Sequence, residues 1–317
     1  MGFNSFMTHV LLAANKEKNF DTSVPFGLAG RQSVFMDAAR IENIAISYGN
    51  HSDSQKSILA EGTTDHETLR TRGHVTDRDF MKALFDVQTL SFDATDYEKT
   101  STILDLNVPF NRQADGGKLL GTLDGLYDGG CLDNVWSPAQ SLMNMSSLLQ
   151  PGGRIFNWAC SSGWPGAFCT VSPEWLLSFY ALNDFRNIRV YHFHPIGEHS
   201  KWPNPTAAVF RYSPHFTRDP NYNPFSASMV ETSHPSFVVA VAESTKYRAP
   251  EDWEMPMQSH YLFGDYPDWR DKYEEIEGLP FEFEKSDSAD QESFPLPYQS
   301  DHFKFCGVIK GEAANVT

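Results

Sequence analysis

Between Val24 and Phe193, short apolar runs of strand length alternate with stretches whose apolar residues recur every three or four positions. That alternation builds a parallel sheet wrapped by helices. Six runs read as strands: VPFGLA (24–29), VQTLSF (87–92), STILDL (101–106), LDGLY (123–127), RIFNW (154–158) and IRVYHF (188–193). Helical patterns at VFMDAARIENIAISYG and DRDFMKALF fill the gap between the first and second. A seventh strand, FVVAVAES (237–244), follows only after a segment rich in Pro, Asn, Ser and aromatic residues. This segment, 195–236, is read as an inserted lid or rim. The expected architecture is α/β, a mostly parallel seven-stranded sheet with helices on both faces, spanning residues 1–245. An acidic, aromatic-rich C-terminal extension occupies 246–317.

Within this pattern the stretch from Leu123 to Trp158 is the most sharply punctuated. Ser137-Pro138-Ala139-Gln140 has the form of a capping box with Pro at the first helical position. Leu142, Met145, Leu148 and Leu149 then form one apolar stripe, and Pro151-Gly152-Gly153 is expected to end the helix and turn the chain into a strand beginning near Arg154. Ligands of open α/β sheets sit outside the carboxyl ends of the strands, where the bare backbone of Gly129 and Gly130 would admit a flat ligand face. On local grounds the two glycines fit a tight strand-to-helix turn equally well.

The Asp128-Gly129-Gly130-Cys131 loop, the Asp133-Asn134 pair, the helix ending in LLQPGGR and the strand after it together resemble the fourth and fifth strands of class I S-adenosylmethionine-dependent methyltransferases. The stretch SPEWLLSFYALNDFRNIRVYHF (172–193) resembles the later helix and sixth strand of that family. The resemblance covers about 24–193 and the strand at 237–244. It implies a Rossmann-like sheet, S-adenosylmethionine as cofactor, and methyl transfer to a small-molecule or carbohydrate acceptor. It also implies that Asp93, at the end of the second strand, accepts from both ribose hydroxyls. Asp105 would accept from the adenine amino group, and Gly129, Gly130 and Cys131 would lie beside the adenosine and methionine moieties. Asp93 fits a turn or N-cap aspartate as well, and Asn107 a turn former.

Where the family carries G-x-G-x-G, this chain has FGLAGRQS, with Gly27 and Gly30. Arg31 and Gln32 at that strand tip would then grip the methionine carboxylate, a task suited to a guanidinium fork, or would fill the pocket. The departure, together with Asp133-Asn134 where many relatives carry Glu-His, motivates an alternative: a methyltransferase-shaped binding or assembly protein without catalysis. An enzyme of NAD or a nucleotide sugar fits less well, because Gly30 and Asp93 lie much further apart than the roughly 20 residues of a dinucleotide fingerprint.

Composition narrows the partners. Asp and Glu total 41 against 25 Lys and Arg, a formal charge of −16, which repels nucleic acid and anionic membranes. No apolar run approaches the ~20 residues that cross a bilayer, and FMTHVLLAANKEK lacks the basic flank and cleavage site of a signal peptide. With four cysteines and no C-x-x-C pair, a reducing cytoplasm is expected. No sequence feature sets an oligomeric state.

The other chemistry-bearing groups read as structural. His192 and His194 share a strand face and His199 follows, but a third ligand at metal spacing is missing. Cys160, Ser161 and Cys169 do not form a nucleophile elbow, and Ser161 and Ser162 are expected at the pocket mouth. Trp164, Trp175, Trp202, Trp253 and Trp269 offer stacking faces, most of them for packing. Methyl transfer needs alignment more than a dedicated base, so no catalytic residue is assigned; Asp133, Asn134 and His194 are the candidates bordering the transfer point.

Overall fold

A computed structural model of the chain describes residues 2–50, 52–61, 73–196, 204–212, 235–256, 269–284 and 303–310. The chain opens with β1 (Gly2–Phe3), α1 (Ser5–Glu17), β2 (Phe26–Ala29) and β3 (Ser33–Val34). Three helices follow, α2 (Ala38–Ser47), α3 (Asp53–Glu61) and α4 (Asp77–Phe85), and then β4 (Thr89–Asp93) and β5 (Thr102–Ile103). A short α5 (Gly116–Leu119) precedes β6 (Leu123–Asp128), α6 (Pro138–Ser147), β7 (Leu149–Ser162), α7 (Pro173–Leu182) and β8 (Phe185–Pro195). The last elements are β9 (Ala207–Tyr212), β10 (Ser236–Ser244), α8 (Trp269–Ile276) and β11 (Phe303–Ile309).

All of the predicted strands form, but among the described residues the sheet has nine strands and is mixed, in the order β11-β9-β8-β10-β7-β6-β2-β4-β5. Pairing is parallel from β7 through β6, β2 and β4 to β5, and antiparallel throughout the other half. The expectation of seven mostly parallel strands is corrected by two features. The apolar run of β10 is buried along its whole length, as a central strand requires, and it slots between β7 and β8 against the direction of both. Beyond β8 the sheet is extended by β9, out of the segment expected to be a lid, and by β11, out of the C-terminal extension.

Alternating strand residues feed two apolar layers. Tyr127, Phe156 and Trp158 face a cluster built with Phe6 and Met7 of α1, Ile41 of α2 and Phe80 of α4. Leu126, Ile155 and Ala159 face Leu142 and Met145 of α6 and Leu176 and Phe179 of α7. Helices therefore cover both faces. From β2 the chain moves outward to β4 and β5, whereas β6 and β7 add on the other side of β2. The order reverses between β2 and β6, and such a switch point opens a crevice at the carboxyl ends of the strands.

Two local expectations change. Ser137 makes no side-chain cap; its N–H donates to Asn107 Oδ1 at 2.9 Å, while Gln140 turns to Asn144. The loop after β5 thus supplies the start of α6 in place of a capping box. Nor does Pro151-Gly152-Gly153 precede its strand, since β7 already begins at Leu149 and bulges there, shifting register between the Leu123 and Gly125 pairings. Gly152 is left-handed at φ +84°, and a Cβ on Gly153 would meet Leu123 O at 2.7 Å.

Buried Arg154, the last residue of the motif, donates from Nη1 to Ala14 O and from Nη2 to Lys18 O, at 2.5 Å each. It therefore closes the carboxyl end of α1 and lies over the Phe20 ring at 4.7 Å. The described part of the C-terminal extension is anchored similarly. Arg211 of β9 pairs with Glu277 at 3.2 Å and Glu284 at 3.3 Å, and Arg189 of β8 donates from Nε to Leu279 O at 2.5 Å. Among the described residues no helix is long and apolar enough to cross a membrane.

Arg154→Ala leaves two helix-end carbonyls without their charged donor, and each such bond is worth about 1.5–3 kcal/mol. The expected outcome is a loss of about 3 kcal/mol in urea unfolding at unchanged slope; a loss below about 1 kcal/mol would show that α1 does not depend on this clasp.

Candidate cofactor cleft

The loop after β6 is organised from beneath. Asp128, fully buried, accepts at Oδ1 from the backbone N–H groups of Cys131 (2.7 Å), Gly130 (3.2 Å) and Leu132 (3.4 Å). Its Oδ2 accepts from Asn157 Nδ2 at 3.1 Å, and the Tyr180 hydroxyl donates to Asn157 Oδ1. Burial pushes the Asp128 carboxyl up, and these bonds pull it back. Gly130 adopts φ +101°, a conformation that favours glycine. Gly129 is bare for a different reason: a Cβ there would lie 1.9 Å from Gln32 Oε1 and 2.8 Å from the Tyr127 ring.

The loop after β2 has its own buried anchor. Asp77, in the first turn of α4, accepts from Arg31 Nε (2.8 and 3.1 Å), Arg31 Nη2 (2.7 Å) and the Gln32 N–H (2.8 Å). The Arg31 fork, expected to meet a ligand carboxylate, is thus closed on an internal one. The Gln32 side chain donates to Ala29 O at 2.6 Å, but its Oε1 is buried with no hydrogen-bond partner. Cys131 Sγ donates to Ala29 O at 3.0 Å and ties the two loops together.

Between these loops and the ends of β4 and β5 lies a cleft of about 560 Å³, a volume that suits a small-molecule ligand. Gly30, Arg31, Gln32, Asp93, Asp105, Gly129, Gly130 and Cys131 all line it. Gly30, at φ +73°, brings its Cα side close to both Asp93 and Cys131. Asp105 accepts at Oδ1 from the Asn107 N–H (2.8 Å) and Nδ2 (3.0 Å), which closes a local turn, and both residues line the cleft.

Among the transfer-point candidates only Asn134 lines the cleft. Asp133 lies behind the loop, accepting from the Cys160 N–H at 2.7 Å, its carboxyl pushed up to about 6 chiefly by burial. His192 and His194 are buried in β8, and burial pushes His192 down to about 3. No cluster of three or more metal-ligating side chains occurs among the described residues. His199 and Trp202 lie outside the described residues. Ser162 binds Ser236 at 2.6 Å instead of lining the mouth, and Trp164 packs on Phe237.

The mouth is formed by residues that sequence reasoning passed over: Glu98, Trp136 and Phe168. The indole of Trp136 is 87% exposed and the ring of Phe168 73%. Their one sequence signal was position, each on a loop after a strand end. Burial and then the Asp93 charge push the Glu98 carboxyl up. A larger cavity of about 670 Å³ lies among α1, α2, α3 and α4, away from the strand ends. Its amides are already engaged, Asn50 on Leu84 O and Gln55 on Asn50, and the switch point favours the smaller cleft.

No protein-family model and no curated protein matches this chain. Solved structures similar to it include a SAM-dependent methyltransferase from Archaeoglobus fulgidus, at 12% identity and a TM-score of 0.36 over 75% of this chain and 94% of that one. Another, a SAM-dependent methyltransferase from Thermotoga maritima, has 14% identity and a TM-score of 0.33 over 75% and 92% of the two chains.

The Gly129–Gln32 packing can be isolated by a double-mutant cycle. Gly129→Ala should destabilise the ligand-free protein by about 1–3 kcal/mol, as overpacking does. Placed in a Gln32→Ala background it should cost at least about 1 kcal/mol less. Equal costs in both backgrounds would mean that Gln32 does not set the need for glycine.

Proposed function

We propose that the cleft binds S-adenosylmethionine and that the protein transfers its methyl group to a small-molecule acceptor. The observation that carries this reading is the convergence of residues from four strand ends on one cleft at the switch point of the sheet. The donor and acceptor balance of the cleft fits the ligand. Donors of Arg31, Gln32, Asn107, Cys131 and Asn134 end on protein acceptors, whereas Asp93, Glu98 and Asp105 present acceptors. A ligand rich in N–H, O–H and positive charge complements such a wall. A pyrophosphate would meet carboxylates and no available cation, which argues against dinucleotides and nucleotide sugars.

In this reading Asp93 accepts from the ribose hydroxyls and Asp105 from the adenine amino group, while Gly129, Gly130 and Cys131 give the ligand backbone to lie on. Arg31, already shared with Asp77, would meet the carboxylate only by its remaining edge. When bound, the cofactor supplies an activated methyl group; the chain's part is to orient it and exclude water beneath the loops. The closure of Arg31 on Asp77 favours a second reading, a methyltransferase-shaped protein that binds without transferring.

Calorimetry with S-adenosylhomocysteine and 5′-methylthioadenosine tests the assignment. Both ligands carry the ribose, so Asp93→Ala should weaken both by about tenfold or more, the loss of charge-assisted hydrogen bonds. Binding of neither ligand by the unmutated protein at millimolar concentration would overturn the proposal. Tight binding without methyl transfer to any acceptor would select the second reading.

A further inference from the structure

The cleft is not uniform from floor to mouth. Gln32, at 6% exposure, and the two glycines of the β6 loop form a buried floor. The mouth, by contrast, holds Glu98, Trp136 and Phe168, all exposed. Tyr97, 91% exposed, stands next to Glu98 on the loop after β4. Large rings in water are ordinary when scattered singly. Here they come from three separate loops, after β4, β6 and β7, and all rise at the carboxyl end of the sheet.

The fold anchors the backbone of two of these loops. The Phe168 N–H donates to Asp133 O at 2.8 Å, and Ser137, next to Trp136, is fixed by Asn107 at 2.9 Å. Between the rings the chain supplies negative charge: Glu98 has no hydrogen-bond or ion-pair partner among the described residues, and Asp93 lies close enough to push its carboxyl up. Among the described residues the one cation on the wall is Arg31, which is paired with Asp77 and also lies close enough to Glu98 to pull its carboxyl part of the way back down. Asn134 uses its amide donors on Gly130 O and Asp133 Oδ1 and so leaves an acceptor at the mouth. Aromatic faces beside an unpaired carboxylate attract an organic cation through the ring quadrupole and through charge. A neutral sugar can stack on the same faces and donate hydroxyls to the carboxylate but gains no cation–π or net charge attraction, and an anion is repelled.

We infer that the mouth is the acceptor subsite, and that the acceptor is a small organic cation, a protonated amine carried on an aromatic or alkyl body, held between Trp136 and Glu98. The inference rests on the proposed cofactor reading only for the word acceptor; the subsite itself can be tested without it.

The probes are protonated phenethylamine, neutral 3-phenylpropan-1-ol, anionic 3-phenylpropionate and methyl β-glucoside. Each is titrated calorimetrically into the full chain at pH 7.5, with and without S-adenosylhomocysteine. Phenethylamine should bind about tenfold more tightly than the neutral alcohol, and 3-phenylpropionate not measurably. Trp136→Ala should weaken the amine about fivefold. Glu98→Gln should weaken it similarly and remove most of its advantage over the alcohol. Both side chains are exposed, so unchanged melting temperatures are expected and serve as the folding control. Equal affinity for amine and alcohol, tighter binding of the glucoside, or indifference to both substitutions would overturn the inference. Amine binding without S-adenosylhomocysteine binding would leave the cation subsite standing and remove the cofactor reading; the reverse would remove the subsite alone.

Discussion

A single buried carboxylate holds the cleft open. Asp128 ends β6 at the switch point, and its Oδ1 gathers the N–H groups of Gly130, Cys131 and Leu132. Without an acceptor there, three backbone donors would be buried unpaired and the loop could not stand away from β2. Burial pushes this carboxyl up, and the bonds from Asn157, itself held by Tyr180, and from the three backbone N–H groups pull it back. The loop then clasps its neighbour through Cys131 and Ala29. Asp77 plays the matching part for the loop after β2, so two buried aspartates, from different layers of the fold, shape one binding wall.

This division of labour is the physical basis of the preference for donors and cations proposed for the cleft. The protein uses its own donors to fix the loops, and acceptors remain on the surface of the wall. Arg31 illustrates the exchange: its guanidinium could serve a ligand or Asp77, and its bidentate geometry serves Asp77. Gln32 makes the same choice with its amide, donating inward and leaving its oxygen unpaired against Gly129.

Much of the frame was legible in the sequence because burial writes long apolar runs. The strands β2, β4 to β8 and β10 were visible as such, and Asp93, Asp105 and the glycine loop fell at their ends. What escaped was set by distant partners. Asp77 lies in a helix far along the chain from Arg31, and no local pattern announces their pairing. Ser137 looks like a helix cap until Asn107 arrives from another loop. The strands β9 and β11 add to an existing edge and were read as parts of a lid and an extension. Trp136 and Phe168 are single aromatic residues in loops, and only the assembled fold brings them to one mouth.

The proposed ligand site lies at the carboxyl ends of β2, β4 and β6 and not in the larger cavity between the helices. Amide hydrogen exchange with and without S-adenosylhomocysteine tests this directly. Slowed exchange is expected in 29–33, 91–98 and 128–136, with 15–20, 48–58 and 82–86 unchanged. Protection confined to the helical cavity, or none at the strand ends under saturating ligand, would contradict it.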